Sequence, residues 1–369
     1  MSLRVAIVGC GKIADAHAAQ IQRIKDCGIV AVCDREELMA RQLAERFKVD
    51  RYFDDLGLLF EESKPEVVHI TTPPRSHFEI ARRCLEHGCH VYVEKPFTLD
   101  AREAEELVQL AEEQGLRLTV GHDAQFSPAA RRMRELIREG YLGDAVVHME
   151  SYYGYDLGDV SYAGAFLGDT DHWVRRLPGG LLQNVISHGL ARIAELLRGE
   201  NPRVIAYGFV SPPLQALGGK GVLDELRVVI VDGDETTACF TFSSRMRPLL
   251  QQFRVFGSRN GLLLDEQQQT VVKLRGASFK SYVERFLPPV IFARQYLANA
   301  GRNARLFLAN DFHMESGKKE LIMAFYRSIV EGTPVPIPYK QILLTARLMD
   351  SIFEQVGKSA TCWEEDASC

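Results

Sequence analysis

A glycine-rich turn near the N terminus has the residue types that bind a dinucleotide. A strand-like run over residues 5–8 leads into the pattern G-x-G-x-x-A, and a helical stretch follows it. In such a turn the first glycine permits a tight bend, the second lets the backbone approach a pyrophosphate, and the small third residue packs a helix against the sheet. The residues expected to contact the dinucleotide are Gly9, Gly11, Lys12, Ile13 and Ala14.

An acidic residue ends the second predicted strand, about twenty residues beyond the turn. Asp34 is placed there to accept hydrogen bonds from an adenosine ribose, and its charge would repel a 2′-phosphate. The neighbouring Arg35 could stack on adenine or pair with that extra phosphate. The sequence therefore predicts a nucleotide site in which NAD is preferred and NADP is the alternative.

Two further polar segments end predicted strands of the same region. One contains the tripeptide Glu94-Lys95-Pro96, and the other is the run Thr-Thr-Pro-Pro at 71–74, which precedes a helix. Ligands of open parallel sheets bind at the carboxyl ends of the strands, so we expect the lysine to face the cofactor. The residues expected to line this part of the cofactor site are Thr72, Pro73, His77, Glu94 and Lys95.

A histidine and an asparagine four residues apart are the candidate chemical groups of the second half. Asn184 and His188 lie within a predicted helix over 181–197 that follows a glycine pair. Residues at this spacing share one helix face, so both side chains should meet the same ligand. A histidine can act as a general base, and an amide can orient a hydroxyl but supplies no charge to raise the histidine pKa.

The order of these motifs resembles the Gfo/Idh/MocA family of oxidoreductases, which includes glucose-fructose oxidoreductase and inositol dehydrogenase. The resemblance rests on G-x-G-x-x-A, T-x-P with a nearby histidine, and E-K-P, and it extends over nearly the whole chain. It implies NAD(P)-dependent hydride transfer at a CH–OH group of a sugar, polyol or sugar derivative. It also implies that Lys95 hydrogen-bonds the reacting oxygen and that His188 is the general base. Asn184, where relatives carry Asp, would orient the substrate or the histidine.

The resemblance further implies a substrate held between the Rossmann domain and the second sheet. Relatives usually carry Asn and Arg where this chain has Asp123 and Gln125. A row of aromatic and acidic residues could bind a sugar or could simply pack on a sheet: Tyr152, Tyr153, Tyr155, Tyr162, Asp169, Asp171, His172 and Trp173. The expected substrate contacts are Lys95, His122, Asp123, Tyr153, Trp173, Asn184 and His188. No further ligand is suitably spaced from Asp169 and Asp171, so we predict no metal site.

Alternating apolar runs and amphipathic stretches predict an α/β Rossmann domain over residues 1–122. Strands are expected at 4–8, 29–33, 67–71, 90–93 and 118–120, with helices at 16–24, 37–47, 77–86 and 102–113. Residues 123–369 predict an α+β domain with a large, mostly antiparallel open sheet. Its strands are expected at 146–155, 204–209, 226–231, 238–242, 253–256 and 262–264. Helices expected at 318–330 and 339–356 could pack back on the Rossmann domain.

Composition narrows the classes of partner. The chain has 369 residues and a net charge of -5, which gives no global attraction to nucleic acid. No apolar run approaches the roughly 18 residues of a membrane helix, and no secretory signal precedes the strand at residue 3, so we expect a cytoplasmic protein. Its eight scattered cysteines are expected to be reduced thiols. The open sheet favours a homodimer or homotetramer.

A basic, aromatic-rich stretch at 273–305 has no role in this scheme. It could meet a membrane surface or an acidic partner, but packing of its aromatics on the core or a subunit interface is the favoured interpretation. Two alternatives to the dehydrogenase also stay open. One is an NAD-dependent glycosidase with no net redox change, and the other is a non-catalytic, nucleotide-bound sensor or assembly protein.

Overall fold

The computed structural model describes residues 2–157, 172–216, 222–276, 279–280, 282–309, 312 and 316–366, with side chains described as far as residue 357. The chain folds into two compact units. The first combines Met1–Asp123 with Gly317–Ala346, and the second combines Ala124–Ser316 with Arg347–Cys369. The first unit is thus completed by a segment that follows the second unit in sequence.

The described elements are as follows. The strands are β1 (Leu3–Val8), β2 (Cys27–Cys33), β3 (Tyr52–Phe53), β4 (Val67–Ile70), β5 (His90–Val93), β6 (Leu118–Val120), β7 (Val146–Gly154), β8 (Arg203–Phe209), β9 (Glu225–Asp232), β10 (Thr236–Ser243), β11 (Gln251–Gly257), β12 (Gly261–Asp265) and β13 (Thr270–Leu274). The helices are α1 (Lys12–Ile21), α2 (Glu37–Phe47), α3 (Leu56–Ser63), α4 (His77–Glu86), α5 (Ala101–Glu113), α6 (Pro128–Arg138), α7 (Gly180–Val185), α8 (Ser187–Ala194), α9 (Pro212–Ala216), α10 (Val283–Leu308), α11 (Ser316–Val330) and α12 (Tyr339–Asp366).

The first unit is built on a six-stranded parallel sheet in the order β3-β2-β1-β4-β5-β6. Strand β1 pairs with β2 on one side and with β4 on the other, so the direction of winding reverses beside β1. This order is that of a Rossmann fold, and the crevice at the reversal is where such sheets bind ligands. The predicted Rossmann domain is confirmed.

Two elements of the first unit have no counterpart in the sequence-based prediction. Strand β3 has two residues, which is too short to show an alternating pattern. Helix α3, with the sequence LGLLFEES, is apolar around most of its first two turns and so lacks a distinct apolar stripe. Helix α1 begins directly after the glycine turn, four residues earlier than expected.

The second unit has a seven-stranded sheet in the order β13-β12-β11-β7-β10-β9-β8. Within this second sheet, β7 and β10 pair in parallel, and all other described neighbours are antiparallel. The mostly antiparallel open sheet is therefore confirmed, with β13 as an additional edge strand. Strand β13 has no counterpart in the sequence-based prediction, because its five residues, TVVKL, are a short run that closely follows β12.

One face of this sheet is covered by the helix that carries the predicted catalytic histidine. A Cβ at Gly189 in α8 would overlap the ring of Phe240 on β10, so only glycine allows the helix to lie this close to the sheet. The Ser151 hydroxyl on β7 donates a hydrogen bond of 3.2 Å to the Gly189 carbonyl. The helix predicted over 181–197 is divided at Ile186 into α7 and α8.

The edge strand β13 is covered by the polar face of helix α10. Asn299 exchanges hydrogen bonds with both backbone groups of Val271, at 3.2 Å and 2.9 Å, and Gln295 does the same with Lys273, at 2.7 Å and 3.2 Å. These amides occupy the places that another strand would take, and so protect an open sheet edge. Phe286 and Tyr296 in 273–305 do not pack on the core, because this helix turns its amides inward and leaves both rings exposed, and the alternative of packing at a subunit interface stays a prediction.

The described residues contain neither a candidate membrane-spanning helix nor a candidate metal-binding cluster. None of the helices there has both the length and the hydropathy needed to cross a bilayer. No cluster of three or more His, Cys, Asp or Glu side chains in the same ranges could hold a metal ion.

We expect Asn299→Ala to destabilise the second unit. The substitution removes the partner of both backbone groups of Val271, which is 6 % exposed, and each buried group left without a partner costs about 1–3 kcal/mol. The measurement is urea unfolding followed by circular dichroism. Asn303→Ala is the matched control, because Asn303 makes one bond, to the Gln268 carbonyl near the surface. Equal midpoints for the two variants would contradict the role given to Asn299.

Candidate active site

The turn after β1 is shaped to approach a ligand through its backbone. Gly9 has φ +95°, and a Cβ there would lie 2.6 Å from the Thr72 backbone nitrogen, so only glycine fits between the two loops. Gly11 caps the N terminus of α1 without a side-chain hydrogen bond, and nothing lies within 4 Å of a Cβ placed on it. The first turn of α1 therefore presents its N–H groups to open space, which suits a pyrophosphate.

The predicted ribose-binding carboxylate also braces the glycine turn. Asp34 accepts hydrogen bonds from the Cys10 N–H at 2.7 Å and the Glu36 N–H at 3.0 Å, one on each oxygen. Each oxygen has a further lone pair for a ribose hydroxyl. The Arg35 side chain is exposed and lies 3.7 Å from the Glu36 carboxylate. These residues fit the adenosine half of a dinucleotide.

His77 joins the two other predicted cofactor segments instead of pointing to a ligand. Its Nδ1 lies 2.8 Å from the Pro96 carbonyl oxygen and its Nε2 lies 2.8 Å from the Thr72 carbonyl oxygen. Burial lowers the pKa of His77, and the two carbonyls oppose that shift. Since both ring nitrogens face backbone oxygens, the ring positions Thr72 relative to the E-K-P segment and contributes no free nitrogen of its own.

Glu94 is the centre of a buried polar network in the first unit. Its Oε1 atom lies 2.7 Å from His17 Nε2 and 2.9 Å from Lys318 Nζ, and its Oε2 atom accepts from the Lys95 N–H at 3.2 Å. Glu94 is 6 % exposed. Burial alone would raise the pKa of this carboxyl, but Lys318 and His17 hold it well below its usual range. The carboxylate predicted to bind the cofactor is instead used to connect α1, β5 and α11.

The hydrogen bonds of this network have one consistent direction. His17 Nδ1 lies 2.8 Å from His69 Nδ1, and His69 Nε2 lies 2.9 Å from the Tyr326 hydroxyl. Burial lowers the pKa of both histidines, so both rings are neutral. Because the Glu94 carboxylate can only accept, His17 donates to it through Nε2 and accepts from His69 through Nδ1, and Tyr326 then donates to His69. Each group in this series of hydrogen bonds, from Tyr326 to Glu94, thereby has a partner.

Lys318 holds two carboxylates next to the predicted catalytic lysine. Its ammonium is 2 % exposed and lies 3.0 Å from Asp123 Oδ2 as well as 2.9 Å from Glu94. Burial lowers the pKa of the half-buried Lys95 below its ordinary value, Glu94 and Asp123 oppose that shift, and the Lys318 cation adds to it. The adjacent His122 has its pKa lowered to about 4 by burial, so its ring is neutral at physiological pH.

Sequence reasoning missed four members of this network: His17, His69, Lys318 and Tyr326. A weak signal existed for His17, since it lies on the apolar face of α1 three residues after Ala14. No local signal existed for Lys318, because it is an ordinary lysine in a C-terminal helix, 224 residues from Glu94. Long-range pairs of this kind follow from tertiary packing only.

In the second unit, His188 lies against the sheet. Its ring stacks on that of Tyr153 in β7, with centroids 5.8 Å apart and planes 21° apart. Asn184 lies one helical turn earlier, at the end of α7 and before the break at Ile186. Both side chains are half-buried, as are Tyr153 and Trp173. Tyr162, Asp169 and Asp171 lie outside the described residues.

Gln125 has a positioning role in the second unit. Its side-chain amide donates to the Ala191 carbonyl in α8 at 2.9 Å, and its backbone carbonyl accepts from Arg134 at 3.1 Å. Arg134 in turn pairs with Glu195, which follows α8. Gln125 thus supports the helix that carries His188.

The fold and the glycine turn define a dinucleotide-binding protein, and comparison with known proteins gives the family that its first domain matches. Residues 3–122 match the model of the oxidoreductase family with an NAD-binding Rossmann fold, Gfo/Idh/MocA, as the motifs predicted.

Some similar proteins match only part of the chain, and others match most of it. D-glucoside 3-dehydrogenase of Escherichia coli K12 is 36 % identical over 146 residues, which is 39 % of this chain and 42 % of that relative. The NAD(+)-dependent scyllo-inositol 2-dehydrogenase of Bacillus subtilis 168 is 25 % identical over 359 residues, or 92 % of this chain and 97 % of the relative. The WlbA dehydrogenase of Bordetella pertussis, solved with NADH and UDP-GlcNAcA, shares the fold with a TM-score of 0.76, 14 % identity and coverage of 97 % and 96 %.

We expect Lys318→Met to raise the pKa of Lys95, because a neighbouring cation is lost and two carboxylates are released. The titration is followed by NMR on Lys95 labelled by reductive ¹³C-methylation, with Lys95→Arg to assign its signal. Loss of a buried partner also destabilises by about 3–5 kcal/mol, so Lys318→Arg, which keeps the charge, serves as the second variant and should leave the pKa unchanged. Lys319→Met on the same helix is the control. An unchanged Lys95 titration in folded Lys318→Met would refute the coupling.

Proposed function

We propose that this protein is an NAD-dependent dehydrogenase acting on a CH–OH group of a sugar, polyol or sugar derivative. The observation that carries the proposal is Lys95, a half-buried lysine whose pKa is lowered by burial, at the carboxyl edge of the sheet that bears the glycine turn. A lysine of lowered pKa at the ligand-binding edge of a parallel sheet suits proton chemistry beside a nucleotide.

The dinucleotide would be held by the glycine turn, the open first turn of α1 and Asp34. When bound, it supplies the hydride acceptor of the reaction. Gly9 and Gly11 would admit the pyrophosphate, and the carboxylate of Asp34 would hold the adenosine ribose and exclude a 2′-phosphate. Thr72, which His77 ties to the E-K-P segment, would line the same crevice.

Lys95 would hydrogen-bond the substrate oxygen and stabilise the negative charge that develops on it as the hydride leaves. Lys318 pairs with both Glu94 and Asp123, and its cation adds to the lowering of the Lys95 pKa. A lowered pKa also makes Lys95 a better proton donor than an ordinary lysine.

His188 would accept the hydroxyl proton, with Asn184 orienting the substrate hydroxyl or the ring. Stacking on Tyr153 limits the orientation of the imidazole, and Gln125 and Gly189 fix the helix that carries it. The remaining proposed substrate contacts are His122, Asp123, Tyr153 and Trp173. The dehydrogenases named among the relatives act on a glucoside and an inositol, which supports a polyhydroxylated ring as the substrate class.

We also propose that the open face of the second sheet is a subunit interface. The paired residues Ile205 and Val229, together with Tyr207, leave an apolar area exposed on β8 and β9. Exposed apolar area of this kind marks association sites.

A cytoplasmic location would suit a reaction coupled to the NAD pool.

The test of the reaction is absorbance of reduced nicotinamide with a panel of polyols, sugars, uronates and nucleotide sugars. With a substrate identified, we expect Lys95→Met and His188→Ala each to lower kcat by about 10²–10⁴-fold. Matched controls are the exposed Lys64→Met and the exposed His87→Ala, which should retain turnover.

Two results would overturn the proposal. One is hydrolysis of a glycoside without accumulation of NADH, which would indicate the NAD-dependent glycosidase. The other is tight cofactor binding with no turnover across the panel, which would indicate a non-catalytic sensor or assembly protein.

Cofactor choice gives a separate prediction. Asp34→Asn keeps an oxygen acceptor for the Cys10 N–H but removes the charge that repels a 2′-phosphate. We expect calorimetric titration to show the ratio of NADP to NAD affinity rising at least about tenfold, or about 1.4 kcal/mol. Asp50→Asn, at an exposed position, should leave the ratio unchanged. A wild-type protein that already prefers NADP would contradict the role given to Asp34.

A further inference from the structure

Helix α10 has an inverted pattern of burial. Among its 26 residues the buried one is Asn299, an amide, whereas most of its large apolar residues are exposed. The face turned to its own sheet carries Gln295, Asn299 and Asn303, which hydrogen-bond β13 and the turn before it. Since an amphipathic helix ordinarily buries its apolar stripe, the outward face of α10 needs another partner.

The exposed apolar residues follow a regular seam. Their separations alternate between three and four residues along the whole helix, and every member is exposed. The seam consists of Val283, Phe286, Val290, Ala293, Leu297, Ala300, Ala304 and Phe307. A mean spacing of 3.5 residues is the period at which one helix packs against another by knobs into holes. Pro288 and Pro289 lie off this seam.

We propose that α10 is a docking surface for α10 of a second copy of this chain, with the two helices antiparallel about a two-fold axis. The pattern of separations is the same read from either end, so antiparallel seams match position for position. Each match then joins a larger and a smaller side chain: Val283 with Phe307, Phe286 with Ala304, Val290 with Ala300, and Ala293 with Leu297. Self-complementary volume is what an isologous interface requires.

The charges of α10 give the association a defined salt dependence. Arg294 directly follows Ala293, which lies next to the two-fold axis of the proposed dimer. In this antiparallel arrangement the two copies of Arg294 lie on the same flank of the interface, and their guanidinium groups repel each other. Salt screens that repulsion and should strengthen the dimer. A helix lying on anionic lipid would behave in the opposite way, and would use bulky residues where α10 has Ala293, Ala300 and Ala304. The polar face of α10 is moreover already bonded to β13. These features favour a second helix over a lipid surface.

The first experiment measures the mass of the full chain by sedimentation equilibrium. Leu297, 73 % exposed, is replaced by Glu, and Val330→Glu at a 71 % exposed site on α11 is the control. We expect Leu297→Glu to raise the dimer dissociation constant at least tenfold at this interface, and Val330→Glu to leave it unchanged. A wild-type monomer, or equal masses for wild type and Leu297→Glu, would overturn the proposal.

The second experiment tests the antiparallel match between Phe286 and Ala304. Phe286→Ala leaves a gap and Ala304→Phe overfills the seam, so each single variant should weaken the dimer. The double variant restores one large and one small residue at each match and should recover the wild-type dissociation constant. No recovery would refute this pairing. Binding to phosphatidylserine vesicles that Leu297→Glu abolishes, without any change in mass, would replace the second copy by a lipid surface. Both experiments are independent of the proposed dehydrogenase activity.

Discussion

The buried carboxylate of Glu94 is the group on which the arrangement of the first unit depends. A carboxylate removed from water is tolerated only when cations and donors surround it, and here His17, Lys318 and the Lys95 N–H do so. These partners come from α1, α11 and the segment after β5, so one charge connects the helix after the glycine turn, the segment that carries Lys95 and a helix from the end of the chain. Lys318 also pairs with Asp123, so the same network joins two carboxylates.

This constraint explains why the first unit includes residues 317–346. Burial of Glu94 disfavours its charged form, and the Lys318 cation opposes that effect. Lys318 supplies that cation, and Tyr326 on the same helix ends the chain of hydrogen bonds that starts at Glu94. The nucleotide-binding fold and the electrostatics of its lysine therefore depend on a segment with no recognisable motif.

In the second unit, side-chain amides take the places of missing backbone partners. Gln125 bonds the Ala191 carbonyl of the helix that carries His188, and Asn299 and Gln295 satisfy the edge of the sheet. Amides suit both tasks because each has a donor and an acceptor, as a peptide group has. Covering an edge in this way leaves α10 with its apolar side outward. The packing of the amide face of α10 against β13 thus both protects the sheet edge and leaves the apolar seam exposed.

The sequence by itself determined the features that depend on local chemistry. Strand and helix periods located β5, β6, α2 and α4 at their observed bounds, the glycine turn predicted the dinucleotide-binding fold, and the order of the motifs predicted the family whose model residues 3–122 match. Tertiary structure decided what depends on contacts between distant residues. It assigned Glu94 and His77 to internal positioning, brought Lys318 to Glu94, and turned the aromatics of α10 outward. The physical reason is that a side chain's type sets which partners it can accept, whereas packing alone decides which of them it meets.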